Sequence, residues 1–440
     1  MAVNSSLPNA IVLTQQQQQA VQAIQAFLAN PDQKLFLLAG YPGTGKSTTI
    51  VQIIQGLIIN HQQKVVLTAP TNKATSVLKR MIAEQALRVE CMTIHQLLGL
   101  SVVNRGGKQL ERTSASHLER FDLAVIDECS MINQALWKWI QQSIEQSWTQ
   151  TKLILMGDPA QLNPVSEGRS PSFSVSHRMT LTQVVRQGAN NPLLTVLKQC
   201  RHAIKQQIPF QPIQHAAQDC QSGMLLVRPT TLLKYACKRS TNFESSPNRF
   251  RILCWTNKRV DYYNAVIREH LYGKDVPRFV LNERMITLAS AIALDGKTIA
   301  LPTSIEFTIT KIEERSHEGY RAWCLTVLPE GYDSQRQIYV LHEDEQARFE
   351  HEVERSLQNA KRNPYLWRKY YRHLEIFAQI RPCFALTVHN AQGSTFEEVG
   401  LDGADLQKRL DGSKAGVREF NRLFYVGASR AKRRVLVTKS

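Results

Sequence analysis

A chain of 440 residues exceeds one ordinary core, and the usual domain sizes divide it into roughly two to four compact units. Its 43% hydrophobic and 21% charged residues exclude a disordered or fibrous protein. Lys and Arg number 54 against 37 Asp and Glu, and a net charge of +17 favours a polyanionic partner such as DNA, RNA or anionic lipid. The eight cysteines show no CxxC or Cys/His ligand spacing, which argues against zinc and fits a reducing cytoplasm. No run of about 20 apolar residues and no export signal is visible, so no membrane association is expected.

In chain order, Thr14 is an N-cap for a helix that opens on the glutamine run 15–19 and repeats Ala20, Val21, Ile24, Phe27 and Leu28 at helical spacing. Four apolar runs follow: LFLLAG (35–40), KVVLTAP (64–70), LAVIDE (123–128) and LILMGD (153–158). They are continuous rather than alternating, as in parallel strands covered on both faces, and a helical pattern fills 47–59. FRILCWTN (250–257), CFALTVHN (383–390), EEVGLDG (397–403) and RRVLVTK (433–439) repeat the theme, predicting a second α/β unit. Between Leu98 and Phe121, within the first unit, a polar stretch with Arg105, Gly106 and Gly107 as its turn predicts a small hairpin. Between about 282 and 375, EFTITKI, AWCLTVL and a charged helical stretch at 343–360 predict a small β barrel with a helical arm.

The segment Gly40-Tyr-Pro42-Gly43-Thr44-Gly45-Lys46-Ser47 matches GxxxxGK[ST] between a strand and a helix, the setting of a phosphate-binding loop. Its glycines let backbone N–H groups converge on phosphate oxygens, and the following helix N-terminus adds positive potential. Lys46 is expected on the β and γ phosphates of ATP and the Ser47 hydroxyl on Mg2+. Asp127 and Glu128 end a strand where a second nucleotide-site carboxylate belongs, Asp127 for Mg2+ and Glu128 as general base.

Further motifs follow in order: GDPAQLNPV (157–165), LTQVVRQ (181–187), TVHNAQGSTF (387–396) and LFYVGASRAKRR (423–434), with TAPTNKAT (68–75) and TIHQLLG (93–99) before them. This set closely resembles the superfamily 1 helicases over about residues 13–437, and more narrowly their RecD-type and phage Dda-like branch. The resemblance implies two RecA-like parallel-sheet motor domains, at 1–98 with 120–178 and at 179–282 with 376–440. A hairpin at 99–119 would be a strand-separating pin, and 283–375 an SH3-like β barrel with its arm, which braces the pin in Dda-like enzymes.

The same resemblance implies an ATP- and Mg2+-dependent motor running 5′ to 3′ on single-stranded DNA and opening forked duplex. An RNA helicase, a protein-displacing translocase and a motor subunit of a larger repair complex are the alternatives. It places Gln17 on the adenine edge and Gln161 on the γ-phosphate or attacking water, adds Thr48 and Gly393 to the ATP site, and makes Arg186 and Arg430 the arginine fingers. Pro70, Thr71, Asn72, Thr93 and His95, then Asn257, Thr387 and His389, match residues on the DNA strand. Asn390 stands where many relatives carry Lys, removing one cation from that track.

Overall fold

The structure, a computed structural model, describes residues 13–61, 63–104, 108–146, 150–164, 167–185, 190–241, 243, 245–293 and 298–439. The first sheet holds β1 (Leu35–Gly40), β2 (Val65–Ala69), β3 (Glu90–Thr93), β6 (Leu123–Ile126), β7 (Lys152–Gly157) and β8 (Arg178–Leu181) in the order β3-β2-β6-β7-β1-β8. Every pairing in it is parallel. Around it lie α1 (Gln15–Ala29), α2 (Lys46–His61), α3 (Asn72–Glu84), α4 (Ile94–Leu97) and α5 (Gln134–Glu145). As the periodicity predicts, Ala20, Ile24 and Phe27 of α1 are buried, and Thr14 closes a capping box with Gln17.

The second sheet repeats the plan with β9 (His215–Ala216), β10 (Gly223–Val227), β11 (Phe250–Cys254), β19 (Ala385–Thr387), β20 (Phe396–Leu401) and β21 (Ala431–Thr438), in the order β19-β11-β20-β21-β10-β9. Only the two-residue β9 pairs antiparallel. Its helices are α6 (Leu193–Gln206), α7 (Pro229–Ser240), α8 (Asn257–Tyr272), α11 (Gly403–Gln407) and α12 (Lys414–Ser429). No described helix is long and apolar enough to cross a membrane.

Two insertions interrupt these units. β4 (Leu100–Asn104) and β5 (Lys108–Arg112) form an antiparallel hairpin, whose tip at 105–107 lies outside the described residues. Its base is fixed by Arg112, which donates to Ser143 Oγ at 2.9 Å and lies over the Trp139 ring at 5.0 Å. The second insertion carries a short pair, β13 (Ala291–Ile292) with β14 (Ile299–Leu301), and a five-stranded antiparallel sheet. That sheet runs β17 (Arg336–Leu341), β16 (Tyr320–Pro329), β15 (Glu306–His317), β12 (Arg284–Thr287), β18 (Ile380–Pro382). It curls on itself: the Ala378 N–H, just before β18, donates to Tyr339 O on the opposite edge at 2.7 Å. An arm of α9 (Gln346–Arg362) and α10 (Trp367–Leu374) follows β17, and α10 lies beside β4.

Two expected boundaries shift. The first sheet reaches Leu181 rather than 178, because β8 pairs with β1 on its outer side. The inserted sheet reaches Pro382 rather than 375, because β18 returns to pair with β12.

A buried ion cluster ties the pieces together. Glu306 on β15, 4% exposed, accepts from Lys73 of α3 at 3.1 Å, Arg251 of β11 at 3.0 Å and Arg284 of β12 at 2.9 Å. These three cations hold its carboxyl far below the usual range despite its burial. Glu306→Gln leaves the fully buried Arg251 uncompensated, and its urea midpoint is expected to fall by the equivalent of about 3–5 kcal/mol. Glu330→Gln, at a partly exposed carboxylate pairing Arg80 and Arg284, is expected to cost less than about 1 kcal/mol in the same titration.

Candidate functional site

The site is assembled at the carboxyl ends of parallel strands, the place where open α/β sheets bind ligands. The glycine-rich loop leaves β1, Asp127 follows β6, and Asp158 follows β7. Within the loop, Gly45 has φ +79°, and a Cβ there would sit 2.1 Å from Gln17 Nε2, so only glycine fits. Lys46 Nζ donates to the Gly40 and Tyr41 carbonyls at 2.7 and 3.2 Å, which holds the ammonium over the loop. Gln17, 4% exposed, accepts from Thr14 N through Oε1 and donates from Nε2 to Thr44 O at 3.0 Å. In this arrangement its amide braces the phosphate loop at Thr44.

Glu128 adopts the left-handed backbone region at φ +51°, an uncommon conformation for a residue with a side chain. Its N–H donates to Asp127 Oδ1 at 2.8 Å, closing the pair into a tight turn. Burial pushes the Glu128 carboxyl up to about 7; Asp127 pushes the same way, while Arg430 and Lys46 pull it back. Burial likewise raises Asp127, opposed by Lys46. A carboxylate poised near neutrality suits a general base.

Residues of the second sheet close the other side. A cavity of about 310 Å3 is lined by Lys46, Ser47, Thr48, Asp127, Glu128 and Gln161 together with Gly393, Thr395 and Arg430. Pro42, Gly43 and Gly45 also line it. Arg430, 3% exposed at the end of α12, donates to Val426 O at 3.2 Å and Ser429 Oγ at 3.0 Å. Gly393, at φ +77°, brings its loop to within 3.7 Å of Ala74 on α3 as measured from an added Cβ. The Gln161 side-chain carbonyl is buried without a hydrogen-bond partner among the described residues. Thus most of the residues expected at ATP line one cavity, while Gly40, Thr44 and Gln17 are not part of its lining and Gln17 is bonded to the loop at Thr44; Arg186 lies outside the described residues.

Ser47 and Asp127 share this cavity, and among the described residues no cluster of three or more His, Cys, Asp or Glu side chains forms a metal site. One hydroxyl and one carboxylate fit Mg2+, which keeps water and substrate phosphate as its other ligands.

Sequence reading missed three side chains that clamp the two units. The Tyr425 hydroxyl, fully buried on α12, donates to Asp158 Oδ2 at 2.8 Å. Arg422 donates to Pro159 O at 2.9 Å and also to Gln161 O. Arg201 of α6 stacks over the Tyr41 ring of the phosphate loop at 3.9 Å. Asp158 and Tyr425 stood inside quoted motifs, and Asp158 ends a strand as Asp127 does; nothing in the sequence marked Arg201.

The expected strand-contacting residues also lie at carboxyl ends, on the same two strands of each sheet. Ala69 pairs with Thr93, and Cys254 with Thr387, so each group lies on neighbouring parallel strands. Thr71 caps α3, Thr93 caps α4 and Thr387 accepts from Asn390 N, so these hydroxyls organise the turns. Pro70 and Asn72 flank the α3 cap, and half-buried His95 lies in α4. Asn257, at the start of α8, accepts from Arg381 at 3.0 Å. His389 lines a second cavity of about 490 Å3 between residues 162–164 and 167–168 on one side and α12 on the other, with Arg409, Arg418 and Arg422 around it.

Comparison with known proteins agrees with this geometry. A family model described as an AAA domain matches residues 12–213, and one described as a UvrD-like helicase C-terminal domain matches 382–438. The ATP-dependent DNA helicase Dda of Enterobacteria phage T4 is 25% identical over 89% of this chain and 92% of its own. The ATP-dependent RecD2 DNA helicase of Deinococcus radiodurans is 34% identical over 37% of this chain and 21% of its own. In fold, a Bacteroides Pif1 helicase solved bound to single-stranded DNA superposes with a TM-score of 0.54 at 15% identity, covering 98% of this chain and 93% of that one. The family matches, the phage T4 and RecD relatives and the fold together support a superfamily 1 helicase of the RecD, Dda and Pif1 type.

Proposed function

We propose that this protein hydrolyses ATP to move 5′ to 3′ along single-stranded DNA and to separate duplex at a fork. The observation that carries the reading is the shared cavity, where Lys46, Asp127, Glu128 and Gln161 of one unit meet Arg430 of the other. ATP bound there would complete both walls at once, so hydrolysis requires the two units to close on it. The loop N–H groups and Lys46 would hold the β and γ phosphates, with Lys46 exchanging its carbonyl partners for phosphate oxygens. Ser47 and Asp127 would hold Mg2+, which neutralises charge between those phosphates. Glu128 would take a proton from the attacking water, and the Gln161 carbonyl would orient it. Arg430, with Arg186 as its expected companion, would stabilise charge spreading over the transferred phosphoryl group.

The units proposed as motors are those built on the two parallel sheets, with Tyr425–Asp158 and Arg422 relaying closure between them. On the track side, the capped N-termini of α3 and α8 and the polar residues Thr71, Asn72, Asn257 and His389 would bind phosphate and sugar without reading sequence. The hairpin β4–β5 is read as the pin and the curled five-stranded sheet as the SH3-like barrel, with α10 bracing the pin at β4.

An unwinding assay with matched tailed duplexes tests the reading. A 5′-tailed DNA duplex is expected to open with ATP while a 3′-tailed one stays closed; efficient opening from the 3′ tail alone overturns the polarity. An equal or better rate on a 5′-tailed RNA duplex overturns the choice of DNA.

A further inference from the structure

Charge reverses along the arm. Its base is acidic, with Glu343, Asp344, Glu345, Glu350, Glu352 and Glu354, and much of that charge is used internally. Arg321 pairs Asp344 at 2.8 Å, Arg348 pairs Glu345 at 3.2 Å and Tyr320 donates to Glu352 at 2.7 Å. Beyond Glu354 no acidic residue occurs before Glu375, and Lys361, Arg362, Arg368, Lys369 and Arg372 follow. All five are exposed, and among the described residues none has an ion-pair partner. Like charges so close repel one another, so the fold holds an uncompensated cationic end on a helical pair.

The aromatic residues of α10 do not share that face. Trp367, Tyr370 and Tyr371 pack on one another with ring centroids 5.2 to 5.7 Å apart and are half-buried. Arg368 and Arg372 are one helical turn apart with Lys369 beside them, so α10 presents cations on one side and its self-packed rings on another. Rings already engaged are poor platforms for unstacked bases, whereas exposed cations suit phosphates. Tyr365, 93% exposed, marks the turn between the two helices. α10 lies beside β4, so the cationic end stands next to the hairpin.

We propose that this cationic end of the arm is a second nucleic-acid site, which grips the phosphate backbone of intact duplex DNA ahead of the hairpin. The site rests on the helicase reading of the motor units, in which the hairpin meets the fork. It holds the incoming duplex against the pin, so separation acts on an anchored helix, and it reads no sequence because it touches backbone alone.

The test uses the full chain, a blunt 20-base-pair DNA duplex and a single strand of matched length. Arg368→Ala/Lys369→Ala/Arg372→Ala is expected to weaken blunt-duplex binding about tenfold or more. It should also flatten the log–log salt dependence of that binding by up to about 2.7, at roughly 0.9 per phosphate neutralised. Single-strand affinity and single-strand-stimulated ATP hydrolysis are expected to stay at the wild-type level, and Arg368→Lys/Arg372→Lys to restore duplex affinity. Unchanged duplex affinity and salt slope overturn the proposal, and so does an equal loss on single strands, which would place the arm in the track. Wild-type protein without strand-stimulated hydrolysis would overturn the motor reading instead, a result separate from the nucleotide-free duplex titration.

Discussion

Arg430→Ala is expected to lower single-strand-stimulated ATP turnover by about 10³- to 10⁵-fold, which is roughly 4–7 kcal/mol of barrier. Arg430 is 3% exposed, and the acidic groups that act on it, Glu128 and Asp158, belong to the other unit. Burial disfavours its charge; Glu128, Tyr425 and Asp158 restore it. A cation kept desolvated at such cost in a cavity shared with Lys46 is placed to stabilise charge that would develop during the proposed reaction. Arg430→Lys keeps the charge but loses the planar fork, so most of the effect should remain. Because Arg430 also donates to Val426 O and Ser429 Oγ, thermal unfolding is measured alongside. Turnover within tenfold of wild type, with intact folding, would remove Arg430 from the reaction.

What could be read in advance follows from where the information lies. Runs such as LFLLAG and LILMGD become β1 and β7 because a central parallel strand is apolar on both faces, and a short window reveals it. Edge strands escape the same reading. In β8, RMTL, Leu181 is the one buried side chain, and β3, ECMT, opens on an exposed Glu90. The phosphate loop and the Asp127–Glu128 pair were legible because their chemistry needs consecutive residues. Tyr425–Asp158 and Lys73–Glu306 join residues 267 and 233 positions apart, and no local pattern encodes such a pairing. Gln17 shows the intermediate case. The resemblance implied a place for it at the adenine edge, whereas its use as a brace on Thr44 depends on the capping box of α1 meeting a glycine at position 45.

Glu128→Gln is expected to reduce turnover by about 10²- to 10⁴-fold, the usual contribution of a positioned base, while ATP binding persists. The pH dependence separates this role from mere packing. With its folded pKa raised to about 7, the wild-type carboxylate gains its active, deprotonated form as pH rises through neutrality. kcat/KM for ATP should therefore climb about tenfold per unit below that point and level off above it. Glu128→Gln has no such proton to lose, so its residual rate should be flat across the same range. Arg430 is among the charges that hold the Glu128 pKa down, so in Arg430→Ala the rise should move to higher pH as well as lower in amplitude. A neutral-range limb that survives unchanged in Glu128→Gln would assign the titration to another carboxylate of the cavity. Asp158, raised by burial and held by Tyr425, is then the one to replace next.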